Sequence, residues 1–113
     1  MHELSLCQSI VEILKAQARH HQYQSVRRIE LRVGPGAMVE SASMVFAFGV
    51  ASRGTLAEGA ILEIRPVPAK VVCLDCSHQG EMEKLAEACS RCGSYRLLWE
   101  EGGGLRLGEI EVD

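Results

Sequence analysis

Two Cys-x-x-Cys pairs, Cys73-Leu74-Asp75-Cys76 and Cys89-Ser90-Arg91-Cys92, constrain this chain more than any other feature. Residues 77–88, twelve in number, separate them. Each pair makes a tight turn that aims two thiolates at one point, and two such turns complete a tetrahedron of sulfur. Zn²⁺ suits an all-thiolate tetrahedron. The spacing therefore predicts one zinc ion held by Cys73, Cys76, Cys89 and Cys92. Four protein thiolates leave no open coordination position, so its expected role is structural. Two rivals remain on the residues alone. One is a set of redox dithiols or disulfides, although a redox motif usually occurs once and within a βαβ pattern. The other is iron in a rubredoxin-like site, which Cys92-Gly93 suits and Cys76-Ser77 does not.

With 113 residues the chain has room for one domain and a small satellite. At 47% hydrophobic and 24% charged it has the composition of a soluble globular protein. The net charge is -3 and the twelve basic residues are interspersed with acids, which argues against nucleic acid as a partner. No apolar run approaches the ~20 residues that span a bilayer, and the N-terminus lacks a basic region followed by an apolar stretch. A cytoplasmic protein with no membrane partner is expected. In that compartment paired cysteines favour metal over disulfides, and the fifth cysteine, Cys7, is left over.

The spacing of Leu6, Cys7, Ile10, Val11, Ile13 and Leu14 predicts an amphipathic helix over 3–21. Residues 26–33 alternate, with Ile29, Leu31 and Val33 on one face and Arg28, Glu30 and Arg32 on the other, as a half-buried strand does. Gly34-Pro35-Gly36 breaks the chain, and it lacks the lysine and hydroxyl of a phosphate loop. A second helix is expected over 41–52, with Phe46 and Phe48 in its core face and Gly54 near its end. A strand over 60–65 is closed by Pro66 and Pro68, which remove backbone donors. Short strand-like pieces at 80–85 and 96–100 frame the cysteines. After Gly102-Gly103-Gly104, residues 105–112 alternate again, and their apolar parity changes across Gly108, where a β-bulge would restore register.

That last strand needs partners, and the open sheet is in the first seventy residues. The expected fold is α+β: two helices on a small mixed sheet completed by the C-terminal strand, with the four-cysteine zinc module inserted. Residues 1–68 with 103–113 would form one domain and 69–102 the zinc-binding one.

The opening Met1-His2-Glu3 has a chemistry of its own. The α-amine of Met1, the backbone nitrogen of His2 and the His2 imidazole can close two fused chelate rings around one metal. Nitrogen-rich planar donor sets favour Ni(II) or Cu(II) over Zn(II). The amide or carboxylate of Glu3 can add a further donor. Any histidine in second position offers these atoms, and Glu3 also suits the first turn of a helix. His20 and His21 read as residues favoured at a helix C-terminus, His78 as an exposed loop residue and Cys7 as a small core residue.

Met1-His2-Glu3-Leu4-Ser5-Leu6-Cys7, Val33-Gly34, Arg53-Gly54-Thr55, Glu58-Gly59, the two cysteine pairs and Ile110-Glu111-Val112 together resemble the HypA/HybF family of hydrogenase nickel-maturation proteins. The resemblance runs the whole length of the chain. It implies a nickel metallochaperone, not an enzyme, that takes Ni(II) as cargo at Met1, His2 and Glu3 and carries Zn(II) in the four-cysteine module. It further implies delivery to the large subunit of [NiFe]-hydrogenase, a nickel-handling GTPase as partner, and in some bacteria service to urease. A monomer or weak homodimer is allowed. The alternative from another class is a zinc-ribbon interaction adapter that transports no metal.

Overall fold

The computed structural model describes residues 2–37, 39–83, 87–99 and 104–113. Helix α1 covers His2–His21, strand β1 Val26–Val33, a short 3-10 turn Pro35–Ala37 and helix α2 Ser41–Ala51. Strands β2 (Ile61–Pro66), β3 (Ala69–Cys73), β4 (Gln79–Met82), β5 (Leu97–Trp99) and β6 (Leu105–Val112) follow. They form two three-stranded sheets, ordered β2-β1-β6 and β4-β3-β5. The chain divides into two compact units, one of Met1–Leu31, Val39–Ile64 and Leu107–Asp113, the other of Arg32–Met38 and Arg65–Arg106.

In the first unit α1 carries Glu3 in its first turn and Arg19, His20 and His21 in its last, the arrangement the helix dipole favours. Gln22 takes a left-handed φ of 58° and gives its N–H to the Ala18 carbonyl at 2.8 Å, which ends the helix. The buried stripe is Cys7, Ile10, Val11 and Leu14. Ile13, expected within it, is 45% exposed. Helix α2 is apolar nearly all round, so its sequence gives no inner face, and packing against α1 selects Met44, Ala47 and Phe48. Phe46 departs from expectation: it is 76% exposed while Phe48 is 2% exposed. Two positions along a helix are rotated by about 200°, so the pair cannot share a face. Phe46 instead walls a groove of about 560 Å³ with Glu3, Leu4, Ala42 and Val50. The Cys7 thiol donates to the Met44 carbonyl at 3.5 Å within the helix-helix core.

Helix α2 starts at an N-cap that no Ser or Asp supplies. The carboxylate of Glu40 accepts the N–H groups of Ala42 at 3.1 Å and Ser43 at 2.7 Å, and the Ser43 hydroxyl at 2.6 Å.

Strand β1 lies between β2 and β6. At one end the Asp113 N–H donates to the Ser25 carbonyl at 2.9 Å, and at the other the Gly34 N–H donates to the Gly104 carbonyl at 2.8 Å, so β6 runs antiparallel to β1. The Val26 N–H at the start of β1 reaches the Leu56 carbonyl ahead of β2 at 2.9 Å, and the Val67 N–H just past β2 reaches the carbonyl of Val33, the last residue of β1, at 2.9 Å, which marks that pair as parallel. A parallel pair needs a crossover, and α2 is that crossover. The mixed sheet is thus completed by the C-terminal strand. The β1 alternation is less simple than expected, because Glu30 is buried at 3% exposure beside Ile29 and Leu31. Arg28 joins the three strands: Nη1 is 2.8 Å from Glu63 Oε2 on β2, and Nε is 2.9 Å from Glu111 Oε1 on β6.

In the second unit β3 is an element the sequence reading did not resolve. It pairs antiparallel with β4, Val71 opposite Gly80, and with β5, Cys73 opposite Leu97. Pro66 ends β2, and Pro68 stands just before β3. The strand expected over 80–85 is β4 in its described part, and positions 84, 85 and 100 of the expected pieces lie outside the described residues, as do Gly102 and Gly103. In β6 the alternation slips at the expected place, with the neighbours Leu107 and Gly108 both half-buried.

Candidate metal centre

The two cysteine pairs are built alike. In the first, the Cys73 carbonyl accepts the Ser77 N–H at 2.9 Å and the Cys73 N–H donates to the His78 carbonyl at 2.9 Å. In the second, the Cys89 carbonyl accepts the Gly93 N–H at 2.9 Å and the Cys89 N–H donates to the Ser94 carbonyl at 2.7 Å. Both turns close on a left-handed residue, Ser77 at φ 62° and Gly93 at φ 77°. The hydrogen-bond pattern of the second knuckle thus repeats that of the first, with a glycine where the first has a serine.

The two knuckles bring all four sulfurs within 4.8 Å of one another. Cys73 Sγ lies 3.6 Å from Cys92 Sγ, and Cys76 Sγ lies 3.7 Å from Cys89 Sγ. A disulfide would need about 2.05 Å. All four are free thiols. A tetrahedron with metal-sulfur bonds of about 2.3 Å has sulfur-sulfur edges of about 3.8 Å, close to these separations. The donor set therefore fits a divalent thiophilic cation.

The electrostatics of the sulfurs follow the same repeat. The Cys76 and Asp75 amides point at the Cys73 sulfur and lower its pKa. The Cys92 and Arg91 amides do the same for Cys89, which falls to about 7. At the second cysteine of each knuckle an amide also helps, that of His78 at Cys76 and that of Ser94 at Cys92. There it is outweighed by burial and by the neighbouring sulfurs, so Cys76 is raised and Cys92 is pushed up to about 12. The amides favour ionised sulfur in both knuckles, and the crowding of four sulfurs opposes ionising them together until a cation offsets the charge.

Outside the sulfurs, Asp75 accepts the Ser94 hydroxyl and, at 2.6 Å, Nη1 of Arg96. The Ser94 hydroxyl oxygen in turn accepts the Arg96 N–H at 3.0 Å, and the Leu74 N–H donates to the Arg96 carbonyl at 2.8 Å. Nothing in the sequence singled out this brace, since it depends on which parts of the two knuckles face each other. His78 is half-buried, its imidazole lying against Gly80.

The other expected site belongs to the first unit. Met1 lies outside the described residues. His2 opens α1 with its side chain 55% exposed, and its Nδ1 is 3.8 Å from Glu3 Oε2, on a side chain 17% exposed. Glu3's own backbone N–H, opposed by partial burial and joined by the His2 imidazole, holds its carboxyl below the usual range. His20 and His21 fall in the last turn of α1, and Cys7 is fully buried. Among the described residues, the four cysteines are the group with metal-ligand geometry, and no helix is long and apolar enough to cross a membrane.

Comparison with known proteins extends this picture over the whole chain. Residues 1–112 match the family model described as hydrogenase/urease nickel incorporation, metallochaperone, hypA. The hydrogenase maturation factor HypA of Paracoccus denitrificans is 43% identical over 112 residues, 99% of either chain. That of Azotobacter chroococcum is 42% identical over 113 residues, the full length of both. The solution structure of the Ni metallochaperone HypA from Helicobacter pylori superposes with a TM-score of 0.72 at 26% identity, covering 99% of this chain and 97% of that one. The chain belongs to the HypA family of nickel-incorporation metallochaperones for hydrogenase and urease.

Proposed function

We propose that this protein binds Ni(II) at its N-terminus and delivers it to [NiFe]-hydrogenase during maturation, while a resident Zn(II) holds the four-cysteine unit together. The observation that carries the nickel site is the pairing at the head of α1. His2 Nδ1, the imidazole atom that closes a chelate ring with the His2 backbone nitrogen, lies 3.8 Å from the Glu3 carboxylate. A cation seated on that nitrogen therefore meets a negative group. The ligand set is the Met1 amine, the backbone nitrogen and imidazole of His2, and Glu3. The His2 side chain is accessible at 55% exposure, which lets a receiving protein's ligands take the metal by exchange.

Cys73, Cys76, Cys89 and Cys92 would hold the zinc. It would supply folding free energy and a closed coordination shell, not a reaction centre. The protein is accordingly a carrier, not a catalyst. It works in the cytoplasm with a nickel-handling GTPase and the hydrogenase large subunit.

The test is metal content and nickel titration on protein with a free N-terminus, beside His2→Ala and a form extended by several residues before Met1. Nickel binding by the unmodified chain alone, with one zinc in all three, supports the reading. Equal nickel binding by all three removes the site from the N-terminus and leaves a zinc-ribbon adapter.

A further inference from the structure

The geometry points to Asp75 as a positioning residue for the four-cysteine centre: its carboxylate ties the first knuckle to Ser94 and Arg96 at the exit of the second. The inference rests on the reading that these cysteines hold a metal.

Each knuckle is rigid within itself, because its own carbonyl and N–H groups close the turn. Nothing in that closure sets the distance between knuckles. The residues that do are the two between Cys73 and Cys76. Leu74 gives its N–H to the Arg96 carbonyl at 2.8 Å, and Asp75 takes the Ser94 hydroxyl and the Arg96 guanidinium at 2.6 Å. Ser94 is also the residue whose carbonyl accepts the Cys89 N–H, so the side chain that binds Asp75 sits on the peptide that holds the second knuckle closed. The chain of bonds from Asp75 through Ser94 to Cys89 thus fixes one pair of sulfurs against the other. The register of β3 and β5, Cys73 opposite Leu97, is a further connection between them.

A carboxylate has a further effect here. Four thiolates and one divalent cation leave a net negative centre, and another carboxylate beside it is disfavoured unless neutralised. Arg96 provides that neutralisation at 2.6 Å. The side chains of Asp75 and Arg96 are 39% and 69% exposed, so replacing them leaves no cavity in a core.

The experiment is zinc release from the loaded full-length protein to a coloured chelator, together with the visible spectrum of the Co(II)-substituted form. The chains are wild type, Asp75→Asn, Asp75→Ala, Ser94→Ala, Ser94→Thr and the Asp75→Asn/Arg96→Ala double variant. Loss of outer hydrogen bonds around metal ligands weakens binding by about 10–100-fold. The expected result is zinc release about tenfold faster or more in both Asp75 variants and in Ser94→Ala, with Ser94→Thr near wild type. The Co(II) ligand-field bands should shift in the variants, and the double variant should release zinc no faster than Asp75→Asn alone. Helical circular dichroism reports that the first unit is folded throughout. Release rates within about twofold of wild type and unchanged Co(II) bands would overturn the positioning role. A wild-type chain that gives no Co(II)-thiolate absorption would instead overturn the metal centre itself.

Discussion

Ser77 and Gly93 hold the same place in the two knuckles, each following a second cysteine, each left-handed, and each donating its N–H at 2.9 Å to the carbonyl of the first cysteine. Only glycine adopts that conformation without cost. Ser77→Gly should therefore stabilise the zinc-loaded protein by about 0.5 kcal/mol, relief of a left-handed side chain worth about 1 kcal/mol or more being partly offset by greater freedom of the unfolded chain. Gly93→Ala meets no atom within 4 Å, so no clash intervenes, and should cost about 1 kcal/mol through conformation alone. Equilibrium unfolding of the loaded protein measures both, and equal stability of the two variants would remove the equivalence.

Phe46 and Phe48 separate in a similarly direct way. Phe48→Ala empties a fully packed position between the helices and should cost about 3–5 kcal/mol. Phe46→Ala removes a ring that is 76% exposed and should change stability by no more than about 0.5 kcal/mol. Urea denaturation followed by helical circular dichroism decides it, and a comparable loss for both would mean that α2 packs on its other face.

The contrast between these two phenylalanines also marks what a sequence can reveal. The α1 stripe of Cys7, Ile10, Val11 and Leu14 was legible because polar residues flank it, and the cysteine pairs were legible because a metal knuckle is a local device of four residues. The C-terminal strand was legible from its alternation together with the need of a sheet for partners. Helix α2 offered no such contrast, since nearly every position is apolar, so its inward face depends on what it packs against. Strand β3 escaped because Lys70 is the one polar residue among its five, so the alternation of burial set by β4 and β5 on either side is not written in the residue types. The Asp75-Ser94-Arg96 brace spans residues some twenty positions apart, which only the closed knuckles bring together. At the N-terminus the proposed chelate is an argument from covalent structure alone, whereas the closeness of Glu3 to His2 Nδ1 needed the fold.

Glu40 gives a prediction in pH. Its carboxyl is held below its ordinary value of 4.5 first by the Ser43 hydroxyl and then by the Ser43 and Ala42 amides. A carboxyl with a depressed folded-state pKa contributes stability that is present in full above the unfolded value and lost as pH falls through the folded one. Wild type should thus melt above Glu40→Gln at pH 7, the gap should begin to close as pH drops below about 4.5, and it should vanish at stronger acid. A gap of constant size from pH 7 to pH 2 would show that the cap works without its charge.

Removing the metal should separate the two units. The first is filled by Leu14, Ile29, Leu31, Met44 and Phe48, all at most 2% exposed, and fully burying each such side chain contributes about 1.5–3 kcal/mol. Among the described residues of the second, the buried hydrophobic ones are Ala69, Val71 and Met82 beside Cys73 and Cys89, too little apolar surface to offset the ordering of their backbone. Zinc on four thiolates supplies apparent binding energy of about 10–16 kcal/mol near neutral pH, which in such a unit is folding energy. A strong chelator at neutral pH should therefore abolish hydrogen-exchange protection at Val71, Val72 and Leu98 while leaving that of Leu14, Ile29 and Phe48 in place. Readdition of zinc should restore the lost protection. If Val71 and Leu98 stayed protected in fully stripped protein, the second unit would be folding on its hydrogen bonds and small core alone.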